Sequence, residues 1–203
     1  IFALKALDHP RDRFLDYALE QTVHALYPAW LAVYEQGDAG SMEPEHLAYV
    51  LETAGGPAAA KFARQKLSSS DLSPELRVRF AGILARNGES EYVSMLISEF
   101  GGNAEVLKAI SGAVQKPDAK VASQVRPLLE NSDPEVRIEA LKMIGHWKLR
   151  GLKAEVISLS EAKEASAPIR IASIQTRASL EGAACVALLL ARFDGESPEV
   201  RAA

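Results

Sequence analysis

The amino-acid sequence predicts an all-α protein, and more closely a right-handed α-solenoid (superhelix) of about six antiparallel helical hairpins. The chain is rich in alanine and leucine, and only 6% of it is aromatic, a composition that favours helices over strands. Prolines recur at nearly regular intervals. Behind them, apolar residues recur at helical spacing, and no series of alternating strand-like runs is present.

The prolines set the period of the repeat. Six of them precede helical patterns: Pro10, Pro44, Pro74, Pro134, Pro168 and Pro198. The gaps between them are 34, 30, 60, 34 and 30 residues, and Ala104 stands in the middle of the gap of 60. We therefore expect repeats to start near residues 10, 44, 74, 104, 134, 168 and 198.

A nearly identical string of residues begins three of these repeats. It occurs as Ser73–Arg77, Asp133–Arg137 and Ser197–Arg201, and a weaker copy spans Ala167–Arg170. The serine or aspartate can cap the first free backbone N–H groups, and the proline after it loses no helical hydrogen bond. The glutamate in the first turn complements the helix dipole. The string therefore predicts the start of a helix.

In the first helix of each repeat, apolar residues recur 4, 7 and 8 positions after the initial apolar residue. This spacing places them on one face of the helix, which we expect to lie in the core. These stripes are Leu76, Phe80, Ile83 and Leu84; Val106, Ile110, Ala113 and Val114; and Val136, Ala140, Met143 and Ile144. Turn residues then end each first helix, at Asn87-Gly88, Lys116-Pro117-Asp118, Arg150-Gly151 and Glu181-Gly182. We expect second helices over Tyr92–Phe100, Ala119–Leu129, Ala154–Ala165 and Ala183–Phe193.

A hairpin of two helices cannot bury both of its apolar faces, so consecutive hairpins must stack. We therefore expect residues 1–203 to form a single repeat domain. Its first repeat, residues 10–41, is rich in aromatic residues and departs most from the pattern. The chain starts with Ile1 inside a helical pattern and ends at the opening of another helix, so we expect it to be cut from a larger protein.

The repeat start Asp133-Pro134, followed by Val136, Arg137 and Ala140, resembles the HEAT repeat. The short period is similar to that of the phycobilisome-lyase HEAT-like subgroup. The resemblance covers nearly the whole chain, and its pattern is clear in three repeats. The patterns of ankyrin and tetratricopeptide repeats are absent. The resemblance implies the fold and says little about function.

A second resemblance covers a shorter segment, Ala6–Glu20 continued by Leu26–Trp30. This segment resembles the helical part of large bacterial multidomain proteins that join a sugar-dehydrogenase-like propeller, HEAT-like repeats and a c-type haem domain. The resemblance implies that the chain connects redox modules and lies outside the cytoplasm. Cys185 is the only cysteine, so the chain itself carries no haem-attachment motif.

The charge and hydropathy of the chain argue against two classes of partner. Its net charge is −4, whereas a nucleic-acid-binding protein usually presents a basic face. The longest apolar run, Ala183–Ala191, is shorter than the roughly 20 residues that span a bilayer. We therefore expect neither nucleic acid as a partner nor a membrane span. Cys185 lies within that run, and we expect a small core residue there.

The sequence does not indicate a metal site. The chain has four histidines, His9, His24, His46 and His146. They lack the spacing of a helical metal site, and the His-Glu pairs with which related HEAT-like hydroxylases hold iron are absent. His46 occupies a repeat position that is apolar elsewhere (Leu76, Val106 and Val136), so we expect a partly buried spacer. His9 lies beside acidic residues in a helix start, where capping or solvation is favoured.

Asp/Arg pairs recur along the chain, and they have two interpretations. Arginine follows the repeat start at equivalent places, namely Arg77, Arg137, Arg170 and Arg201. One interpretation is an acid–base set, and the other is a ladder in which each arginine bonds carboxylates or helix ends nearby. Periodic recurrence favours the ladder, because a catalytic site needs one special place. No Gly-rich phosphate loop or serine triad is evident, so we expect no catalytic residues and no cofactor.

We therefore interpret the chain as a non-catalytic scaffold that mediates protein–protein interaction or spaces the modules of a larger protein. Its partner would be another protein or neighbouring domains of the same chain. The second helices would line a groove, with polar candidates at Arg64, Gln65, Glu91, Ser94, Lys120, Gln124 and Glu155. For Trp30 the sequence favours neither core packing nor an interface, whereas we expect Trp147 to belong to the core stripe. The alternative is a HEAT-like enzyme, such as a bilin lyase or an alkylpurine DNA glycosylase, which the acidic balance and the apolar setting of Cys185 disfavour.

Overall fold

The computed structural model describes residues 2–35, 42–113, 117, 120–162, 164–183, 185 and 198–202. Over these residues the protein is built from helices and contains no strand, which confirms the all-α fold class. The helices form two compact units, Ile1–Gly88 and Glu89–Ala203, called unit 1 and unit 2 below. The single repeat domain over residues 1–203 stays a prediction.

Unit 1 opens with a 3₁₀ segment over Phe2–Asp8. Its α-helices are α1 (Arg13–Glu35), α2 (Pro44–Ala54), α3 (Gly56–Leu67) and α4 (Pro74–Asn87). Helix α2 packs against α1, α3 and α4, and α3 packs along α4. Side chains from three of these helices meet in the core, where Leu51, Phe62 and Phe80 are almost completely buried.

The first predicted repeat, residues 10–41, differs from a hairpin. Its described part is one continuous helix, α1, which runs through Pro28. The helix begins at Arg13 and not at Pro10, because Asp12 provides the cap: its Oδ1 accepts hydrogen bonds from the N–H groups of Phe14 and Leu15 at 3.0 and 2.9 Å. No glycine or Asn-Gly turn interrupts residues 13–35, and the helix continues through its one proline, Pro28.

Unit 2 alternates α-helices with short 3₁₀ segments. The α-helices are α5 (Glu91–Phe100), α6 (Ala104–Ala113), α7 (Val121–Val125), α8 (Pro134–Trp147), α9 (Lys153–Glu161), α10 (Ala167–Glu181) and α11 (Pro198–Ala202). The 3₁₀ segments are Arg126–Glu130 and Arg150–Leu152. The helices that follow the repeat starts pack in chain order, since α8 contacts both α6 and α10. Helix α5 packs against α7 beside them.

Helix starts coincide with the positions that the prolines indicated. Helices begin at Pro44, Pro74, Ala104, Pro134 and Pro198, and α10 begins at Ala167, one residue before Pro168. Side chains cap three of these starts. Ser73 Oγ accepts from Leu76 N at 3.3 Å, Asn103 Oδ1 from Val106 N at 3.1 Å and Asp133 Oδ1 from Glu135 N at 2.9 Å. Local capping therefore explains why the sequence located these helices so closely.

The core stripes are also confirmed where the structure describes them. Every member of the stripes that begin at Leu76 and Val136 is buried, and so are Val106 and Ile110. The remaining stripe members, Ala113 and Val114, have side chains outside the described residues.

Helix α5 (Glu91–Phe100) matches its prediction to within one residue, whereas the next two second helices differ from theirs. The predicted Ala119–Leu129 is a five-residue α7 followed by the 3₁₀ segment, because Pro127 lacks the N–H that a regular α-helix needs. Helix α9 ends at Glu161 and not at Ala165. The predicted break at Lys116–Asp118 and most of the predicted helix Ala183–Phe193 lie outside the described residues.

Candidate functional site

The predicted groove residues are divided between the two units. Arg64 and Gln65 lie on α3 of unit 1, where the Arg64 guanidinium donates to Ser68 Oγ at 3.0 Å and Gln65 is exposed. The remaining five, Glu91, Ser94, Lys120, Gln124 and Glu155, lie in unit 2. Glu91 is exposed at the start of α5, and Lys120 is exposed just before α7.

Two of the five are bonded to each other across neighbouring helices. Ser94 on α5 donates its hydroxyl to Gln124 Oε1 at 2.7 Å, and the Gln124 amide donates back to the Ser94 carbonyl at 3.1 Å. The two residues are 30 positions apart, which is one repeat. This reciprocal pair holds α5 against α7, so it supports packing, and most of its polar capacity is already used.

Glu155 lies in a different place, at the edge of an open groove. The groove has a volume of about 410 Å³ and lies between the 3₁₀ segment Arg126–Glu130 and helix α9. Arg126 reaches across it to Glu155, with 2.5 Å between guanidinium nitrogen and carboxylate oxygen. Sequence reasoning missed Arg126, because its place opposite α9 depends on packing between elements that are distant in the sequence.

The recurring arginines bond the ends of preceding helices. Arg77 of α4 donates to the carbonyls of Leu67 and Ser69, each at 3.4 Å, just after α3 ends. Arg137 of α8 donates through Nε to the Leu129 carbonyl at 3.0 Å in the 3₁₀ segment. Carbonyls at helix ends lack partners within the helix, and a cation satisfies them well. The ladder interpretation is therefore confirmed for these two arginines.

His46 is a buried spacer with a specific partner. It is 9% exposed, as its equivalence with buried Leu76 suggested. Its Nε2 lies 2.8 Å from Asp8 Oδ1, so Asp8 serves as a tether between the 3₁₀ segment and α2. Asp12, by contrast, caps α1. In the part of the chain that the structure describes, no group of His, Cys, Asp or Glu is arranged to hold a metal ion.

A buried ionic network joins α9 to α10. Arg177 is 5% exposed, and its guanidinium donates to Glu181 Oε2 at 3.1 Å and to Ser160 Oγ and Glu161 Oε1, each at 3.3 Å. Glu181 also pairs with Lys153 Nζ at 2.8 Å. The hydrogen bond from Lys153, followed by the one from Arg177, lowers the pKa of Glu181, and burial opposes this only in part.

Cys185 is completely buried, as predicted for a core residue. Burial is the main cause that raises the pKa of its thiol, and the nearby Glu181 carboxylate adds to it. The thiol therefore stays protonated at neutral pH, which is the behaviour of a packing residue.

The two tryptophans differ in the same way as predicted. Trp147 is 7% exposed, whereas Trp30 is half-buried beside Phe62, with 6.2 Å between ring centroids.

Exposed apolar side chains are concentrated at the start of unit 1. Among the described residues, the large ones are Phe2, Phe14, Leu15, Tyr17 and Leu26, with exposed fractions of 85, 68, 36, 63 and 56%. At 100° per residue, Phe14 and Tyr17 lie on the side of α1 opposite the buried Leu19 and Val23. Helix α1 is thus apolar on two sides and buries only one of them.

The outer side of α1, called the α1 outer face below, extends beyond its aromatic end. Exposed Ala18, Ala25 and Ala32 continue it at intervals of 7 residues, and Pro28 lies beside them. Among its described side chains, Gln21 and His24 interrupt it. On the inner side, side chains of α1, including Trp30, and of the 3₁₀ segment line a small apolar cavity of about 50 Å³.

Comparison with family models, with curated proteins and with solved structures finds no match for this chain. None of the helices in the described part is long and apolar enough to cross a membrane.

Proposed function

We propose that this chain is a non-catalytic helical scaffold that mediates protein–protein interaction or spaces the modules of a larger protein, and that the α1 outer face is its contact surface. The observation that carries the proposal is that Phe14 and Tyr17, two large exposed apolar side chains, lie together on the outer side of α1 and are continued there by exposed alanines. Exposed apolar side chains gathered on one face mark interaction sites, whereas single exposed apolar residues scattered over a surface are ordinary.

The use made of the ionisable side chains supports the non-catalytic part of the proposal. Arg77 and Arg137 bond helix ends, Arg79 pairs with Glu52, and Arg177 is held inside the network between α9 and α10. Each of these groups has a packing role within the fold. A catalytic group would instead face a cleft with its reactive atom free to meet a substrate.

The finer fold proposal is that the hairpins stack as a HEAT-like solenoid. The order of packing within unit 2 supports it, since α6, α8 and α10 follow one another and each starts one period after the last. A compact globule of 203 residues has a radius of gyration of about 17 Å. A solenoid gives a larger value by small-angle X-ray scattering, and a measured value equal to that of the globule would contradict the stacking.

Oxidative footprinting tests the contact surface. Hydroxyl radicals are generated in the native cells and, separately, in a solution of purified residues 1–203, and the oxidation rates of Phe14 and Tyr17 are compared by mass spectrometry. If the α1 outer face is covered by a partner or a neighbouring module, both side chains oxidise several-fold more slowly in cells. Tyr92 on α5, half-buried in unit 2, is the internal reference. Equal rates for Phe14 and Tyr17, after correction by this reference, would overturn the proposal.

A further inference from the structure

The groove between the 3₁₀ segment Arg126–Glu130 and helix α9 has the properties of a peptide-binding surface. Its volume of about 410 Å³ exceeds the needs of a few side chains. Leu129, Ala154 and Leu159 form its apolar lining, and Leu129 is 4% exposed, so the floor is fixed by the core beneath it. An aliphatic side chain that binds here would move from water to an apolar surface, and this transfer is favourable.

The charges around the groove select the kind of partner. Glu130 and Glu155 contribute two negative charges and Arg126 one positive charge, so the lining carries a net charge of −1. Arg126 is already paired with Glu155. Glu130 is exposed and makes no ion pair with any other residue that the structure describes. One carboxylate at the rim is therefore available to a cation brought by the partner.

We infer that this groove binds an extended segment of a partner protein in which aliphatic residues flank a lysine or arginine. The aliphatic side chains pack on Ala154 and Leu159, above the floor that Leu129 forms, and the basic side chain pairs with Glu130. The Arg126–Glu155 pair links the 3₁₀ segment to α9. The inference rests on the proposed class of function, a binding scaffold, but it uses unit 2 alone and does not depend on the α1 outer face.

The experiment uses residues 1–203 and three fluorescent peptides that differ at their centres. One carries leucine-lysine-leucine, one leucine-glutamate-leucine and one serine-lysine-serine, and binding is followed by fluorescence anisotropy. The wild-type chain should prefer the first peptide over both others. Glu130→Lys should weaken its binding about tenfold, since an attractive ion pair becomes a repulsion, and it should strengthen binding of the glutamate peptide.

Glu89→Lys is the matched control, because Glu89 is exposed in the same unit and does not line the groove, and the substitution changes the charge equally. It should leave all three affinities unchanged. Absence of binding by the leucine-lysine-leucine peptide, equal binding of all three, or equal effects of the two substitutions would each overturn the inference. Because the footprinting of α1 reports on a different unit, its outcome separates failure of this groove from failure of the proposed function.

Discussion

Arg177 is the residue at which the repeat is broken most clearly. It lies nine positions after Pro168, and the residues nine positions after Pro74 and Pro134 are Ile83 and Met143. Both of those are completely buried, so the fold places a guanidinium where it elsewhere places an apolar side chain. A buried charge is tolerated only when it is paired and hydrogen-bonded, and Glu181, Glu161 and Ser160 provide those partners. The sequence contained this signal, a charge on a core stripe, but its partners on α9 could not be identified without the packing.

Arg177→Met should destabilise the protein by about 3 kcal/mol, since it restores the apolar repeat residue but removes one of the two cations that pair with a nearly buried Glu181, Lys153 being the other. The measurement is urea unfolding followed by circular dichroism. Adding Glu181→Met should recover part of the loss. Arg79→Met is the matched control, because the Arg79–Glu52 pair is bidentate but partly exposed, and it should cost about 1 kcal/mol. Equal costs for the two arginines would contradict the assigned role of burial.

Glu181 also predicts how stability depends on pH. Its pKa is lowered in the folded state below the ordinary value of 4.5, so the unfolded chain takes up a proton first as the pH falls. The stabilisation by Glu181 is therefore complete above that value and is lost progressively as the pH drops below it. Glu181→Gln should reduce stability at neutral pH and flatten the acid-side decline in thermal unfolding. Glu89→Gln, an exposed control, should leave the slope as it is, and an unchanged slope for Glu181→Gln would contradict the assignment.

At the scale of helices, the sequence predicts features set by local contacts more accurately than features set by contacts between distant residues. Starts such as Asp133-Pro134 were located to within a residue, because the capping hydrogen bond joins atoms two or three residues apart. Helix ends were located less well, since α9 ends at Glu161 without a glycine to mark it. The first repeat was wrong as a hairpin, because a proline spacing alone does not create a turn within residues 13–35.

The contact between α8 and α10 gives the next prediction. Gly145 is buried there, and a Cβ built on it would lie 3.5 Å from Thr176 Cα and from Ser179 Cβ. That is an ordinary contact, so Gly145→Ala should stabilise the protein by about 1 kcal/mol through the lower entropy of the unfolded chain. Gly145→Leu should destabilise it by about 2 kcal/mol, because the larger side chain must push the helices apart. It would also strain the hydrogen bond from Thr176 Oγ1 to the Leu141 carbonyl, which is 2.8 Å long.

Gly112 on α6 is the matched control for this pair, because it is exposed and a Cβ there meets nothing within 4 Å. Both alanine and leucine should be tolerated at Gly112, as measured by thermal unfolding. Tolerance of leucine at Gly145 would show that α8 and α10 do not pack as closely as the structure indicates.

At the scale of the whole molecule, the sequence predicted the fold class and the order of helices, but not how its polar side chains are used. Polarity on second helices selected Glu155, which lines the groove beside α9, and it also selected Ser94 and Gln124, which bond each other. Polarity alone does not distinguish a side chain that is available to bind another molecule from one that is already hydrogen-bonded within the protein. The α1 outer face was missed for the opposite reason, since its apolar residues resemble core residues until packing shows which side is covered.

The distribution of charge over the chain predicts that it does not bind DNA. There are 27 acidic and 23 basic residues, and the arginines that the repeat places regularly are used within the fold. Phosphate binding needs cations whose donors are available, and each neutralised phosphate steepens the dependence of affinity on salt. Fluorescence anisotropy with alkylated and unmodified duplexes should therefore show no binding at physiological salt, and chromatography should show no release of alkylated base. Binding that weakens steeply with added salt, or release of the base, would instead favour a glycosylase and contradict the scaffold proposal.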